Sequence, residues 1–576
     1  MGTLRDRNPL VKGAVLWYVF SMPAAPGMAG SGPGTGPTTG RGGPGEVALR
    51  IGLSLPGGIA PGTFEAGAVS ALLAWIQEVN ARQADTVVLD VIAGASAGSL
   101  SGLLAARVLL AGDDPVAVFR EAWVVAPSLA ALRGTGPWAP LSLRPARALA
   151  HRLLFAPSPP RPRSSQTSPV ALNLALGCLR GFSQEIPLSG AASAAGQPLL
   201  AASYLDWSSY ELREIPDAPG SDEETWTQAI ESAVASASYP LAFRARELDR
   251  TALRTEYLSN GIINLPADSE SLRLWYTDGG LLDNEPLGRC VDLVGARDGA
   301  QIPSRLVMLL RSSSRWPPPA DNPAWSGSRR PRWTETLARA FDLIATQAVG
   351  RDLLRVEKVN AELGWTKEVA HRMADLIGED EQAVAYIKRL LADIEERRSA
   401  FARIERRPGA ETAPNPSGLA ELIEALLKCA SDLTGKQPVE VAVVSANSAF
   451  PGPQPWISLV AFLERRQREA NFAAGYWTML RWIEAAQTLQ KRMRPELIET
   501  AARAAGQKVR EPGARRVTRD PSRRLSFRTR GRLLRLAVRT SLIARADLRA
   551  AAGRPESPPK QAQTSASGRR WRRLNR

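Results

Sequence analysis

The segment Thr86–Ala111 constrains the fold of this chain more strongly than any other stretch of its sequence. It begins with a run rich in β-branched residues, passes through Gly94-Ala-Ser-Ala-Gly98, and continues into a stretch rich in alanine and leucine. This order predicts a strand, a sharp turn with Ser96 at its apex, and a helix. Gly-x-Ser-x-Gly in that setting is typical of a nucleophile elbow, in which the serine hydroxyl stands above a sheet. The N-terminus of the helix favours negative charge beside that hydroxyl.

A second strand–loop–helix unit lies immediately before this one. Val47–Leu55 is predicted to be a strand, Pro56–Gly62 is a glycine-rich loop, and an apolar stripe indicates a helix from about Thr63. Free backbone N–H groups in such a loop can hold an anion. A nucleotide phosphate loop would end in Lys-Ser or Lys-Thr, and this loop does not. Two successive units of this kind predict an α/β fold with a mainly parallel sheet and right-handed crossovers.

Farther along the chain, the predicted strand Leu272–Thr277 runs into Asp278-Gly-Gly280. Taken alone, this is an ordinary Asp-Gly turn. A serine nucleophile needs a base to take its proton, and the chain contains only two histidines, His151 and His371. Ser96, the aspartate and His371 follow the chain order of an α/β-hydrolase triad, so that alternative stays open. Both histidines lie in helical segments where a surface or core role is the simpler explanation, which leaves the aspartate as the candidate base.

Three motifs in this order resemble the patatin-like phospholipase family. They are the loop Gly57-Gly-Ile-Ala-Pro-Gly62, the elbow Gly94-Ala-Ser-Ala-Gly98, and Asp278-Gly-Gly280 with Asn284 and Pro286 after it. The segment Ala235–Phe243 is also similar to a Pro-x-x-Phe turn that precedes the aspartate in that family. The resemblance extends from Val47 to about Leu287, nearly half of the chain. The helical region beyond Trp333 more weakly resembles the extensions of some bacterial members.

The resemblance implies a patatin-like three-layer α/β/α fold and a serine acyl hydrolase of phospholipase or lysophospholipase type. Ser96 would be the nucleophile and Asp278 the general base of a Ser-Asp dyad that cleaves lipid acyl esters without a metal or a cofactor. Burial would have to raise the pKa of this carboxylate for it to act as a base. The resemblance also assigns oxyanion-hole N–H donors and supporting motif residues: Gly57, Gly58, Ile59 and Ala97 as donors, and Gly94, Gly98, Gly279, Gly280 and Asn284 as support.

The glycine-rich loop departs from the family pattern at two positions. Ile59 stands where the family has a third glycine, and Pro61 stands where it has arginine or lysine. Ile59 limits the freedom of the backbone, while Pro61 removes both a cation and an N–H group. These departures put the strength of the oxyanion hole in question. The alternative hypothesis is therefore a catalytically weak patatin-like module that binds lipid or a partner.

Composition predicts five regions along the chain. They are a disordered N-terminal extension (1–46), the acyl hydrolase domain (47–314), a linker (315–332), a mainly helical extension with one strand that returns to the sheet (333–506), and a basic, largely disordered tail (507–576). The three cysteines, Cys178, Cys290 and Cys429, are scattered and odd in number. They indicate a reducing compartment and neither a disulfide framework nor a zinc site.

The positive charge of the chain is concentrated near its C-terminus. Residues 501–576 contain 22 Lys and Arg against 4 Asp and Glu, whereas the preceding residues are nearly neutral in sum. Arg515–Arg549 mixes arginines with apolar residues, so a solvated tail, contact with an anionic membrane and non-specific nucleic-acid binding are the alternatives. We favour a membrane surface over nucleic acid, because a lipid hydrolase meets its substrate at an interface. The sequence does not predict the oligomeric state.

The sequence contains no run of about 18 apolar residues that would indicate a membrane span. The N-terminus has the outline of a signal peptide, with basic residues before the short apolar run Gly13–Phe20, but a glycine- and proline-rich stretch follows. We therefore expect a cytoplasmic protein, peripheral at a membrane, with secretion as the alternative.

Overall fold

The computed structural model describes residues 49–58, 62–128, 132, 139–157, 166–186, 199–215, 223–240, 242–266, 271–298, 305–311, 333–378, 382–392, 418–431, 433, 436, 438–445 and 464–512. In 333–351 it describes the backbone alone. The predicted N-terminal extension, the predicted linker and all but the first six residues of the predicted tail lie outside these ranges.

Eight strands form one mixed sheet in the described part of the chain. They are β1 (Leu49–Leu55), β2 (Val87–Gly94), β3 (Val170–Ile186), β4 (Leu199–Leu212), β5 (Arg246–Asp249), β6 (Arg273–Asp278), β7 (Arg305–Arg311) and β8 (Glu440–Ser445). The order across the sheet is β5-β6-β3-β2-β1-β7-β8, and β4 pairs with β3 off this path. The five strands from β3 to β8 in this order are parallel, whereas β4 and β6 run antiparallel to β3, and β5 antiparallel to β6.

Helices cover both faces of the sheet. They are α1 (Gly62–Arg82), α2 (Ala97–Ala111), α3 (Pro115–Arg120), α4 (Arg144–Leu154), α5 (Glu223–Ser236), α6 (Arg254–Ser259), α7 (Leu287–Asp298), α8 (Trp333–Ile377), α9 (Leu419–Ala430), α10 (Arg465–Ala485), α11 (Gln487–Gln490) and α12 (Pro495–Gly506). Residues 382–392 are also helical, and Glu121–Val125 forms a single π-helical turn after α3.

The alternation of side chains along β7 shows how the layers are built. Leu306, Met308 and Leu310 join the apolar cluster that contains α1, α2 and α10, whereas Val307 and Leu309 join the cluster that contains α7. Because successive side chains of a strand point to opposite faces, a strand with buried apolar residues on both faces is covered on both sides. The expected three-layer α/β/α fold with a mainly parallel sheet is thereby confirmed.

The C-terminal helices belong to the same core as the first helix. β8 extends the sheet by parallel pairing with β7, and α10 crosses α1 where both helices have a glycine. A Cβ at Gly67 would lie 2.0 Å from the carbonyl oxygen of Phe472, and a Cβ at Gly475 would lie 1.8 Å from that of Phe64. Helix backbones approach this closely only when neither residue carries a side chain. The helical extension expected from the sequence is therefore present, and it braces the helix that follows the glycine-rich loop.

The crossing of α1 and α10 predicts that Gly475→Ala destabilises the protein by about 1–3 kcal/mol or more, because the added methyl group must push two backbones apart. Gly295 is the matched control, since it is also helical and a Cβ there would meet nothing within 4 Å. Gly295→Ala should leave stability unchanged or raise it by up to about 1 kcal/mol. Urea unfolding measures both variants, and equal midpoints would contradict the close crossing.

Candidate active site

Ser96 occupies a strained turn between β2 and α2. Its backbone has φ 50° and ψ −117°, and a non-glycine residue in such a conformation costs about 1–3 kcal/mol. Backbone hydrogen bonds fix the turn on either side: the Ala95 N–H donates to the carbonyl of Leu55 at 3.1 Å, and the Gly98 N–H donates to the carbonyl of Ala95 at 2.8 Å. The strand, turn and helix predicted for this segment are thus observed, with the serine at the apex.

The motif glycines are required by close backbone approaches around the serine. A Cβ at Gly98 would lie 2.3 Å from the carbonyl oxygen of Leu55, and one at Gly279 would lie 2.0 Å from that of Ala175. Gly94 in turn faces the carbonyl of Gly98, which a Cβ would approach to 2.7 Å. Any side chain at these positions would separate the elbow from β1, or the aspartate turn from β3.

One edge of β3 brings the aspartate to the elbow. Gly94, the last residue of β2, pairs with Leu174 in parallel register, and Asp278, the last residue of β6, pairs with Leu176 in antiparallel register. Because β4 pairs with the same stretch of β3 from the opposite edge, β2 and β6 share the remaining edge and run toward each other. The C-terminal ends of β2 and β6 therefore meet along β3, because the residues with which they pair are only two positions apart.

The Ser96 hydroxyl donates a hydrogen bond of 2.7 Å to Oδ2 of Asp278, and the Gly280 N–H donates one of 2.7 Å to Oδ1. The serine is only 5% exposed and the aspartate only 3%. Burial raises the pKa of Asp278 to about 6, against the opposing effect of the hydrogen bonds from Ser96 and Gly280. A carboxylate with this pKa is ionised at neutral pH and is a stronger base than a solvated aspartate.

Ser236, at the end of α5, supports the elbow and is not singled out as a site residue by the sequence patterns. Its hydroxyl accepts a 2.9 Å hydrogen bond from the Ser96 N–H and lies 2.8 Å from the hydroxyl of Ser99. Two residues later, the carbonyl of Ser238 accepts from the Asp278 N–H at 3.2 Å. The short segment Ser236–Ser238 therefore hydrogen-bonds to the backbone N–H groups of both Ser96 and Asp278. The available signal was weak: buried serines at a helix end need hydrogen-bond partners.

The turn after the aspartate also holds the glycine-rich loop. The Gly57 N–H donates to the carbonyl of Asn284 at 2.8 Å, and the Asn284 side-chain oxygen would lie 2.6 Å from a Cβ at Gly57 and 2.9 Å from one at Gly280. The next residue, Glu285, is buried and forms a 3.0 Å ion pair with Arg311 at the end of β7. The Gly57 N–H is therefore engaged by the chain itself, and Asn284 fills the space that the glycines leave.

Unlike the Gly57 N–H, two other N–H groups assigned to an oxyanion hole, those of Gly58 and Ala97, have no described hydrogen-bond acceptor. Gly58 has φ 141°, and its carbonyl accepts from the Gly62 N–H at 3.0 Å. The N–H groups of Gly58 and of Ala97, the first residue of α2, make no hydrogen bond to any described residue. Free N–H groups at a helix start can hold an anion. Ile59 and Pro61 lie outside the described residues.

The two histidines lie apart from this hydrogen-bond network. His371 is exposed on α8, with Nδ1 2.8 Å from the carbonyl oxygen of Lys367. His151 belongs to α4 and stacks on Phe155 with the ring centroids 5.6 Å apart. Neither ring forms a hydrogen bond with Ser96 in the described structure, where the serine hydroxyl donates to a carboxylate.

An apolar pocket with a volume of about 170 Å³ opens from Ser96. Its walls come from α2, from the turn Glu121–Val125, from α4 and from the segment after α5. Apart from Ser96 and the indole of Trp123, the described lining residues have no polar side-chain atoms. A cavity of this kind favours a hydrocarbon group over water. Among the described residues, no group of three or more His, Cys, Asp or Glu side chains could hold a metal ion.

An α/β/α sheet with a serine–carboxylate pair beside an apolar pocket is the arrangement expected of a lipid acyl hydrolase. Residues 53–291 match the family model described as patatin-like phospholipase. This match confirms the resemblance carried by the motifs: residues 53–291 form a patatin-like phospholipase domain. The match supports lipid acyl hydrolysis as the general activity of this domain. No curated protein matches the chain significantly. No described helix is both long enough and apolar enough to span a membrane.

The strained elbow predicts that Ser96→Gly is more stable than Ser96→Ala by about 1 kcal/mol or more, because glycine adopts a positive φ without strain. Both variants lose the hydroxyl and its hydrogen bond to Asp278, so the comparison isolates the backbone. Thermal or urea unfolding of the two proteins side by side measures the difference. A Ser96→Ala protein as stable as Ser96→Gly would contradict the strained backbone.

Proposed function

We propose that this protein is a serine hydrolase of lipid acyl esters in which Ser96 is the nucleophile and Asp278 the general base. The observation that carries the proposal is the 2.7 Å hydrogen bond between these two buried side chains, of which Ser96 lines an apolar pocket. A nucleophile and a base within hydrogen-bond distance are the geometric requirement for this chemistry. The family match supports the substrate class, a lipid ester.

In the acylation step, Ser96 Oγ attacks the ester carbonyl carbon while its proton moves to Oδ2 of Asp278. The tetrahedral intermediate collapses when the C–O bond to the alcohol breaks, and the aspartic acid returns the proton to the leaving oxygen. Water then attacks the acyl-serine, giving its proton to the same carboxylate, and the fatty acid departs as Ser96 is protonated again. Both steps use one carboxyl group as base and then as acid, so no histidine is required.

The N–H groups of Gly58 and Ala97 are the donors we assign to the negative oxygen of these intermediates. They flank the elbow and make no hydrogen bond to a described residue, whereas the Gly57 N–H is engaged by Asn284. Each such donor typically contributes about a hundred- to a thousandfold in rate. The start of α2 adds the favourable field of a helix N-terminus. Ile59 stays a candidate from the sequence alone.

The dyad predicts that Ser96→Ala and Asp278→Asn each lower kcat/KM for an acyl ester by at least about 10³-fold. In the second variant, the new carboxamide can still accept from the Gly280 N–H and donate to Ser96, so the melting temperature at pH 8 should equal or exceed that of the parent. Asp249→Asn, at an exposed position on β5, is the matched control and should retain full activity. Parent-like rates in both dyad variants would exclude the mechanism.

The catalytically weak binding module is the competing hypothesis, and covalent labelling separates the two. A fluorophosphonate should label Ser96 in the folded parent and fail to label Ser96→Ala. Absence of labelling in folded parent protein, together with absence of ester turnover, would favour the binding module.

The raised pKa of Asp278 predicts the pH dependence of the reaction. The base must be ionised, so kcat/KM should be constant above about pH 7 and fall tenfold per unit below an apparent pKa of about 6. A histidine base would give a similar limb, so His371→Ala is the control, and it should reproduce the parent profile. A limb that disappears in His371→Ala, or one centred near pH 4, would contradict the assignment.

We further propose that the basic tail, which lies almost entirely outside the described residues, brings the protein to anionic membrane surfaces. The excess of arginine in residues 501–576 supports this. Vesicle binding that persists unchanged at high salt would argue against it.

A further inference from the structure

The single π-helical turn Glu121–Val125 reaches the end of the glycine-rich loop. Trp123, in the middle of this turn, is buried. A Cβ at Gly62, where the loop ends, would lie 2.6 Å from Cζ3 of Trp123 and 3.3 Å from Cβ of Ala97. The far edge of the indole ring therefore packs where the loop meets the elbow. Single π-helical turns of this kind are frequent at functional sites.

The two N–H groups assigned to the oxyanion lie at this junction. The Gly62 N–H donates to the carbonyl of Gly58 at 3.0 Å, so the position of Gly62 constrains that of Gly58. Ala97, which carries the second N–H group, is the first residue of α2 and lies next to Gly62. A shift of the indole ring would therefore change the distance between the two donors. A misplacement of about 1 Å in a catalytic site can cost about a hundredfold in rate.

Helix α10 of the C-terminal extension holds this turn through a buried arginine. Arg468 is only 3% exposed, and its Nε–H donates to the carbonyl of Val124 at 3.0 Å. That carbonyl lies in the last turn of a helical segment, where carbonyl groups lack a partner within the helix. The next residue, Glu469, forms a 3.8 Å ion pair with Arg120, the last residue of α3. Helix α10 therefore holds the chain both immediately before the π-helical turn and near its end.

The burial of Arg468 is energetically unfavourable, which makes its contact with the turn informative. Desolvation, together with the charge of Arg465, lowers the pKa of Arg468 against the opposing effect of Glu469. An apolar side chain could fill the same space without this cost, so the distinctive contribution of the arginine is its hydrogen-bond donor. Arg468 also lies outside the residues 53–291 that match the family model, so it is the extension that supplies this donor.

We propose that Arg468 is a positioning residue of the oxyanion hole. It fixes the π-helical turn, and through Trp123 the turn keeps the two assigned N–H groups at the separation that suits a single oxygen atom. This inference rests on the proposed function, because those N–H groups act in catalysis only if an oxyanion forms there. It makes the C-terminal extension a part of the active site.

Substitution of Arg468 in the full chain tests the proposal. Arg468→Met keeps an unbranched side chain and removes the donor. With p-nitrophenyl octanoate we expect kcat to fall about 10- to 100-fold and KM to change less than about twofold, because the two N–H groups stabilise the transition state selectively. Arg468→Lys, which retains a donor, should recover most of the activity. Arg465→Met, on the same helix with a side chain 60% exposed, is the matched control and should behave like the parent.

A merely structural role would be revealed by the way in which the rate is counted. Each kcat is expressed per serine that a fluorophosphonate labels at completion, so unfolded molecules do not contribute. A parent-like kcat per labelled serine in Arg468→Met would overturn the proposal.

A double-mutant cycle tests whether the effect passes through Trp123. Trp123→Phe withdraws the edge of the ring that packs on Gly62 and should itself lower kcat. If Arg468 acts through this ring, Arg468→Met should cost less than about threefold in the Trp123→Phe protein, against about 10- to 100-fold in the parent. Equal losses in the two backgrounds would exclude this route and overturn the proposal.

Hydrogen exchange separates failure of this inference from failure of the proposed function, because it needs no catalysis. The N–H groups of Gly57 and Gly62 are hydrogen-bonded and report on opening of the loop. We expect both to exchange at least about threefold faster in Arg468→Met, with β7 unchanged, and at the parent rate in Arg465→Met. If no ester is hydrolysed and no serine is labelled but this difference is found, the proposed function fails and the positioning link stands. If esters are hydrolysed but loop exchange stays at the parent rate, or rises equally throughout the protein, the inference fails alone.

Discussion

One edge of β3 carries the ends of two strands that run toward each other, and the active-site geometry depends on that pairing. Ser96 and Asp278 are 182 positions apart in the chain, yet each lies at the end of a strand hydrogen-bonded to the same few residues of β3. The 2.7 Å contact between their side chains is therefore set by backbone register rather than by side-chain flexibility. A slip of one residue in either strand would turn the reacting group to the other face of the sheet.

Two features of the site are energetically unfavourable, and the stability of the rest of the fold must offset both. The positive φ of Ser96 strains the backbone, and the burial of Asp278 disfavours its charged form and raises its pKa. In the proposed mechanism both features serve the reaction: the strained turn projects the Ser96 hydroxyl, and burial makes Asp278 a stronger base. The surrounding contacts keep them in place, because Ser236 and Ser238 bind one half each and Asn284 binds the loop after β1.

Local sequence patterns predicted those parts of the site whose structure is determined by neighbouring residues in the chain. The strand, glycine turn and helix around Ser96, the first strand with its glycine-rich loop, and the strand that ends at Asp278 are each visible in a short window of sequence. They predict the α/β/α class because alternating units of this kind have few ways to pack. The family resemblance then paired the serine with the aspartate, which spacing alone cannot do.

The remaining features depend on contacts between distant segments and leave little trace in the sequence. The patterns do not predict β3, whose 17 residues change from a buried half to a partly exposed half and contain two glycines. Nothing near Gly57 indicates that its N–H binds the carbonyl of Asn284. Arg107 joins α2 to the end of α4 by a hydrogen bond to the carbonyl of Leu154, 47 positions away. The crossing of α1 by α10 rests on Gly475, an isolated glycine in a helix.

That crossing has a consequence for the order in which the protein acquires its structure during synthesis. The surface of α1 that meets Gly475 is made about 400 residues before its partner, which corresponds to roughly 20–80 s on a ribosome adding 5–20 residues per second. During that interval the side of α1 that packs on α10 is uncovered, and for most of it the sheet lacks β8, its last parallel strand. The nascent chain therefore contains Ser96 and Asp278 before the C-terminal helices that brace α1, so the support behind the glycine-rich loop is the last part of the described fold to be completed.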